Sequence, residues 1–546
     1  MSHSVGEQSP ENDLPPIDSN TSLTELQLRI SRQPWKHVSA RHPIGSIDNP
    51  PDRETLTEFA SAILEKRLTD VVRVRYRKEA LSSPASSNDA GGTRLTNGIG
   101  KSGAKKFRGG ETNSKSSSVQ HNNGRILLTS RCRSQLRKFV KHIASMYHDN
   151  RYHGLEHAVH VTMSANKLLD MLHGSSVESL DDSSNEDFMA SEPYLKAQQS
   201  KDDFDSFAQN GSKFCTKAEA AKASSSKKTS SAVDQPNHSF SDTFAKFAFV
   251  FASFIHDVDH QGVPNARLVA EDDPICDTYG RISVAEKHSI KVAFRTLNES
   301  DYDEFRSTVY ETNDDKLRLH RIIHSLVLST DIASPERMQE TKKRWQEAFS
   351  KPGTDHTAAF SRLHLSGKYT STKEIATVQA SKLQFVAYDV DNIKLTKRRN
   401  STMRTLQMGG GQTVEYFASN NDEDDIKTAL RHSVMLETML NVADVSHAMQ
   451  SWELFCFWNR KLFEELYSAF KAGRSDNDPS SGWYENELNF FKGYIIPLSE
   501  KMNKSGMFGD RGEEWTKNAI RIRDRWKKEG DRVSSEMINA VKKDFE

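Results

Sequence analysis

Three short stretches of this sequence crowd imidazoles and carboxylates among apolar residues. The first runs Tyr152, His153, Gly154, Leu155, Glu156, His157, Ala158, Val159, His160; the second runs Phe254, Ile255, His256, Asp257, Val258, Asp259, His260. The third is Asn441, Val442, Ala443, Asp444, Val445, Ser446, His447, where Asp444 interrupts an apolar helical pattern. On a helix His153 and His157 share a face. The second stretch is predicted to end a helix whose preceding turns are almost wholly apolar, and burying unpaired polar groups costs roughly 2 to 7 kcal/mol even when they are neutral. A divalent cation offsets that cost directly, because imidazole and carboxylate suit zinc, while carboxylate and water suit magnesium or manganese. Taken alone, the second stretch is also compatible with a buried salt-bridge network.

The elements that must position these groups read as helices. Phe244, Phe247, Phe251, Phe254 and Ile255 recur at steps of three and four, as do Leu319, Ile322, Ile323 and Leu326. Similar periodicity runs through Thr428 to His447, Trp452 to Phe470, Tyr484 to Met502 and Glu513 to Trp526, with a further helical piece at Leu56 to Leu68. Alternation with period two is scarce, so the folded part is predicted to be all-α, a body of packed helices. Its core is smaller than 546 residues suggest, since only 35% of them are hydrophobic and Ser-rich, charged stretches take up much of the length. Ser82 to Gly124 reads as a linker, and the segments at about 175–239 and 351–425 read as insertions, the first disordered and the second partly ordered. The expected organisation is an N-terminal region over 1–125, partly helical and then linker, followed by a catalytic domain over 126–546 that carries both insertions. Gly100, Lys101 and Ser102 imitate the end of a phosphate-binding loop, but no apolar strand leads into them.

Lys plus Arg and Asp plus Glu are 75 each, so no charge bias points to nucleic acid as a partner. Cys132, Cys215, Cys276 and Cys456 stand alone, without the spacing of a disulfide framework or a thiolate zinc site. No apolar signal-like segment opens the chain and no later stretch offers the roughly 20 apolar residues of a transmembrane helix. A cytoplasmic protein is the expectation.

A histidine, a histidine-aspartate doublet and a later isolated aspartate, in that order in a helical chain, resemble the ligand set of helical metallophosphohydrolases. The three stretches resemble the catalytic domain of class I 3′,5′-cyclic-nucleotide phosphodiesterases, within the HD-type superfamily, over roughly residues 130–528 without the insertions. The resemblance implies a compact multi-helix bundle around a binuclear metal pocket, and hydrolysis of cAMP, cGMP or both to 5′-monophosphates, ending a cyclic-nucleotide signal. It implies that His157, His256, Asp257 and Asp444 bind the tighter metal, usually zinc, and that Asp257 also bridges to a second, magnesium or manganese, completed mainly by water. Two such cations would activate a hydroxide and clamp the phosphodiester, and His153 would protonate the departing 3′ oxygen. His260, Glu286, His288, Thr330 and Asp331 stand at matching positions for orienting ligands and waters. Read from the residues alone, Glu286 and His288 are helix surface and Thr330 is a helix-end cap.

On the substrate side the resemblance implies Tyr152, His447, Phe455, Trp458, Glu487 and Phe490, with Phe490 stacking on the base for about 1 to 3 kcal/mol. Helix core is the alternative for Phe455 and Trp458. Three positions depart from the family pattern. Glu487 replaces a base-reading glutamine, and an ionised carboxylate only accepts hydrogen bonds, which suits guanine's adjacent donors; a protonated Glu487 reverses that hint. His447 replaces an asparagine, and Ser289 replaces a histidine. Arg398, Arg399, Asn400 and Ser401 resemble a site for a basic-directed kinase, which would add about two negative charges at Ser401. A homodimer is also compatible with the resemblance. Competing readings are a zinc protease, because His153, Leu155, Glu156 and His157 fit H-x-x-E-H, another nucleotide phosphohydrolase, and a catalytically weak nucleotide-binding relative.

Overall fold

The structure is a computed structural model that describes residues 23–39, 41, 50–82, 119–122, 125–172, 240–349, 395–397, 403–407, 413–417 and 422–546. Its helices in chain order are α1 (Leu23–Arg32), α2 (Arg53–Ser82), α3 (Ser130–Ser145), α4 (Leu155–Met171), α5 (Thr243–Ile255), α6 (Asn265–Ala270), α7 (Pro274–Tyr279) and α8 (Val284–Leu297). They continue with α9 (Asp303–Val309), α10 (Asn313–Leu328), α11 (Pro335–Phe349), α12 (Asp422–Asp444), α13 (Trp452–Lys471), α14 (Trp483–Phe490), α15 (Ile496–Lys504) and α16 (Glu513–Asp544). The fold is all-α, as expected.

Helix α5 lies at the centre. Its sequence is apolar on nearly every side, so it is stable only where every face is covered, and it is buried from Phe244 to Ile255. Asp242 starts it, its side chain accepting from the Ala245 N–H at 3.1 Å. Helices α2, α4, α10 and α12 pack around it, and α4 also touches α12. That mutual packing brings the start of α4 and the ends of α5 and α12 to one place, and these three termini carry the three stretches of the sequence.

The predicted helix at Leu56 to Leu68 is the middle of the 30-residue α2. Its Phe59, Ile63, Leu64 and Leu68 are buried against α4 and α5, so residues from the N-terminal region share one packed unit with the rest of the helical body. Tyr484 to Met502 is not one helix: α14 passes into a π turn at Phe491–Ile495 before α15. Pro497, in the first turn of α15, has no N–H to donate to a preceding carbonyl, and the π turn absorbs the extra residue. The pattern through His447 also stops early, because α12 ends at Asp444 and a 3-10 turn follows over Ser446–Met449.

Two small antiparallel sheets add to the helices. Strands β1 (Val119–Asn122) and β2 (Arg125–Leu128) pair with Asn122 opposite Arg125, inside the stretch expected to be linker. Strands β3 (Leu395–Lys397), β4 (Met403–Gln407) and β5 (Thr413–Phe417) form a meander in the second insertion. Ser401, the Gly100–Ser102 segment and the insertion at about 175–239 lie outside the described residues, as does all but Phe240 of a second unit over His173–Phe240. Among the described residues no helix is long and apolar enough to cross a membrane.

Helix α16 packs against α13, α14 and α15. A Cβ on Gly530 would lie 2.6 Å from the Trp526 ring, which the Phe455 edge holds at 5.3 Å and the Tyr484 carbonyl holds at 3.2 Å through the indole N–H. Gly530→Ala is therefore expected to destabilise the fold by about 1 to 3 kcal/mol through overpacking, although alanine is the better helix former. A thermal melt showing Tm at or above that of the parent would contradict this packing.

Candidate metal and catalytic centre

The first stretch departs from its expected form. Gly154 caps α4 in an extended conformation, where any Cβ would approach the Asn150 carbonyl to 2.8 Å. The helix therefore begins at Leu155, and His153 stands in the turn before it rather than on a shared face with His157. At the second stretch Asp259 takes a left-handed φ of 63° and Gly262 one of 67°, turning the chain just past His256 and Asp257. Asn150 joins the two turns, its amide donating to the carbonyls of His260 at 2.7 Å and His153 at 3.2 Å.

Four side chains from three elements then converge. His157 Nε2 lies 2.9 Å from Asp444 Oδ1 and 3.8 Å from Asp257 Oδ2. His256 Nε2 lies 3.1 Å from Asp257 Oδ2 and 3.6 Å from Asp444 Oδ1, and its Nδ1 donates to the Ser253 carbonyl at 3.0 Å. Despite the short approach to Asp257, His256 Nε2 makes no hydrogen bond and is buried. A tetrahedral zinc with ligands at ~2.0–2.1 Å keeps them roughly 3.3 Å apart, close to these separations, and one atom each of His157, His256 and Asp257 lies within 4.8 Å of the others. The donor set fits a cation: two imidazoles and two carboxylates, with His157 Nδ1 and His256 Nε2 both left without a hydrogen bond. Charge pairing points the same way. Burial opposes ionisation, yet Asp257 and Asp444 hold His256 well above the ordinary histidine range. Burial likewise opposes both carboxylates, but His256 holds Asp257, and His157 with His256 holds Asp444, well below the carboxylate range.

His153 has a different partner. Its Nδ1 donates to Glu465 Oε1 at 2.5 Å, and Glu465 Oε2 accepts from the backbone N–H groups of Tyr152 at 2.7 Å and His153 at 2.9 Å. Burial would lower the pKa of the imidazole, but the Glu465 charge and hydrogen bond outweigh it, aided by Asp257 and Asp444, and push it up to about 9. Burial and the neighbouring His153 push His260 down to about 4, and its ring lies 4.2 Å from that of His153. Sequence reasoning missed Glu465, although it sits two turns beyond Trp458 on the same face of α13, a carboxylate in an otherwise apolar and aromatic stripe. It missed Asn150 as well.

A family model described as 3′5′-cyclic nucleotide phosphodiesterase matches residues 228–505, just over half of the sequence, including His256, Asp257, Asp444, Glu487 and Phe490. The chain belongs to the 3′5′-cyclic nucleotide phosphodiesterase family. Mouse 3′,5′-cyclic-AMP phosphodiesterase 4C is 36% identical over 103 residues, 18% of this chain and 15% of that protein. The probable 3′,5′-cyclic-AMP phosphodiesterase pde-4 of Caenorhabditis elegans is 32% identical over 101 residues, 18% of this chain and 14% of that protein. The aligned part thus spans less than a fifth of these relatives' length. The phosphodiesterase domain of the RhoPDE fusion protein from the choanoflagellate Salpingoeca rosetta matches with 15% identity and a TM-score of 0.39, over 74% of this chain and 85% of that one.

The remaining residues singled out by the resemblance to this family divide into groups. His288 donates to Asp259 at 2.8 Å, and Ser289 donates to the Val258 carbonyl at 2.8 Å, so both tie α8 to the turn past His256. Glu286 accepts from the Asn265 amide at 2.9 Å; burial and then Asp331 push its carboxyl up to about 7. Asp331 accepts from Ser283 at 2.8 Å. Thr330 turns back on the Val327 carbonyl at 2.8 Å just past the end of α10, as a helix-end residue does. Tyr152 lies against His157 with ring centroids 4.5 Å apart, and Trp458 lies within 5.8 Å of Tyr152, His157 and His160. His447 adjoins Tyr152 and Trp458, and burial pushes its imidazole down to about 3. Phe455 is placed away from them: it is packed among Trp452, Phe491 and Trp526, in the core rather than at a pocket wall, because its position on α13 faces α16.

Glu487 and Phe490 sit on α14. The Phe490 ring stacks with Tyr494 at 5.4 Å. Glu487 Oε2 accepts from the Asn459 amide at 3.0 Å, and the Trp483 indole N–H, donating to Asn459 Oδ1 at 3.1 Å, fixes which way that amide faces. Burial pushes the Glu487 carboxyl up to about 7. Glu156, the base required by the protease pattern, is instead engaged by the Arg41 guanidinium through both carboxylate oxygens.

Proposed function

We propose that this chain hydrolyses 3′,5′-cyclic nucleotides to 5′-monophosphates and so ends a cyclic-nucleotide signal. The observation that carries the reading is the convergence of His157, His256, Asp257 and Asp444 from three helix ends, beside a histidine that is backed by a buried glutamate. These four residues would hold zinc, with Asp257 shared with magnesium or manganese. Such cations, when bound, supply Lewis acidity toward phosphate oxygens and a hydroxide nucleophile at neutral pH. The chain's own residues do the rest. In the reaction a water oxygen bonds to phosphorus as the P–O3′ bond breaks, and the departing O3′ takes a proton from His153 Nε2. Glu465 fixes the tautomer by holding the Nδ1 proton. Phe490, paired with Tyr494, offers a face to the base, and Glu487 meets its hydrogen-bonding edge.

The test is the initial rate with cAMP and cGMP, side by side, with magnesium or manganese and after chelation. Turnover lost on chelation supports the reading; none in folded, metal-loaded protein would move the choice to another phosphohydrolase or a binding role. The same assay addresses Glu487. With a carboxyl near 7, lower pH adds a proton that can donate to adenine, so the cAMP-to-cGMP rate ratio should rise as pH falls from 8 to 6. Glu487→Gln should flatten that trend and favour cAMP by about tenfold at pH 8. An unchanged ratio would remove Glu487 from base selection.

A further inference from the structure

Glu156 sits between the catalytic His153 and the ligand His157 in sequence, yet its carboxylate faces neither of them. Both its oxygens are taken by Arg41, through Nε and through Nη2 at 3.1 Å, and the guanidinium lies 4.2 Å above the Phe457 ring, next to Trp458. Arg41 is 5% exposed, so this is a sheltered, forked pair rather than a surface contact of little consequence. The backbone that presents Arg41 is itself fixed. Gln33 donates to the Ser39 carbonyl at 3.1 Å, and Ser39 Oγ accepts from the Arg41 N–H at 3.0 Å.

The same strap reaches the turn just past Asp444. The Trp35 indole N–H donates to the Met449 carbonyl at 2.8 Å, at the end of the 3-10 turn that follows Asp444 and carries His447. Gln450 donates to the Val38 carbonyl and to Ser164 Oγ, each at 3.4 Å. Trp35 is anchored in turn, edge-on to Trp515 at 5.9 Å. A segment hundreds of residues from Asp444 in sequence thus touches α4 and the turn that follows α12.

We infer that the strap formed by Gln33 to Ser39 together with Arg41 braces the metal centre, and that Arg41 is a positioning residue that fixes the first turn of α4, and with it His153 and His157, through Glu156. The inference rests on the ligand assignment proposed above. Partners that orient ligands from outside the metal shell typically govern about 10- to 100-fold in metal affinity or activity. Arg41→Ala should accordingly weaken zinc binding, measured by chelator competition, by at least about tenfold and lower kcat by a similar factor with KM little changed. Arg41→Lys, which keeps the charge and loses the fork, should fall between the two. Arg75→Ala serves as the matched control: it removes bonds to the carbonyls of Thr308 at 2.6 Å and Val309 at 2.8 Å and ion pairs to Glu311 and Asp315, none of them a residue of the centre, and should lower Tm without changing zinc affinity. The charge-reversed pair Arg41→Glu with Glu156→Arg should recover part of the zinc affinity lost by Arg41→Glu alone.

Zinc affinity in Arg41→Ala no weaker than in Arg75→Ala would overturn the inference. Wild-type protein that holds zinc but turns over no cyclic nucleotide would sink the substrate reading alone, since the zinc measurement still decides on Arg41. Wild-type protein that binds no zinc would sink the ligand set and the brace together.

Discussion

Asp444→Ala is expected to lose zinc and activity together, with kcat/KM falling by ~10³-fold or more, the scale of losing several kcal/mol of charge stabilisation at the phosphate. Asp444 is the carboxylate that α12 contributes to the centre, 2.9 Å from His157 Nε2 and 3.6 Å from His256 Nε2. Without it the remaining donors are His157, His256 and Asp257; the buried His157 loses its nearest opposite charge, and His256 keeps only Asp257 at 3.1 Å. Zinc per protein molecule by elemental analysis and initial rates would be measured on the same preparation. Asp444→Asn keeps the volume and an acceptor oxygen, so it separates loss of the ligand charge from loss of fold; it should retain Tm and still bind zinc more weakly. Full zinc occupancy in Asp444→Ala at low free metal would contradict the assignment.

The four converging side chains were legible because their signal is local. Three clusters of ionisable residues bordered by apolar helix must either find a compensating charge or remain unburied, and the packing of α4, α5 and α12 brings those clusters together. Less legible were the groups whose meaning depends on a distant partner. Glu465 reads as an ordinary helix residue until α13 is laid beside the turn at Tyr152, and Arg41 belongs to a short irregular stretch with no periodicity to read. Helix boundaries were blurred for a related reason. Hydrophobic spacing runs on past Asp444 to His447 and back through His153, but a glycine cap at Gly154 and the 3-10 turn at Ser446–Met449 cut the helices short at the residues that matter. Phe455 and Trp458 show the limit of a one-helix view. They are three residues apart on α13, and only tertiary packing separates the one that meets α16 from the one that meets the histidines.

Replacing His153 should give the opposite signature from Asp444, with metal kept and rate lost. General acid catalysis contributes about 10²- to 10⁴-fold, and the Nδ1 of His153 is committed to Glu465. His153→Ala is therefore expected to hold zinc as the parent does and to lose about 10²- to 10⁴-fold in kcat on cyclic nucleotides. A substrate whose leaving group needs no proton isolates the role: on bis(p-nitrophenyl) phosphate the same variant should lose about tenfold or less, because the nitrophenolate departs unprotonated. Equal losses on both substrates would make His153 a structural or binding residue. Glu465 supplies the pH dimension. The acid must carry its proton, so the rate falls as pH rises through the pKa of His153, which Glu465 raises. Glu465→Gln removes that charge while keeping an acceptor, so the alkaline limb of kcat/KM should move to lower pH, with a smaller loss at its optimum than in His153→Ala. A limb that stays in place, or moves to higher pH, would separate Glu465 from proton delivery and leave it as the anchor of the Tyr152 and His153 backbone alone.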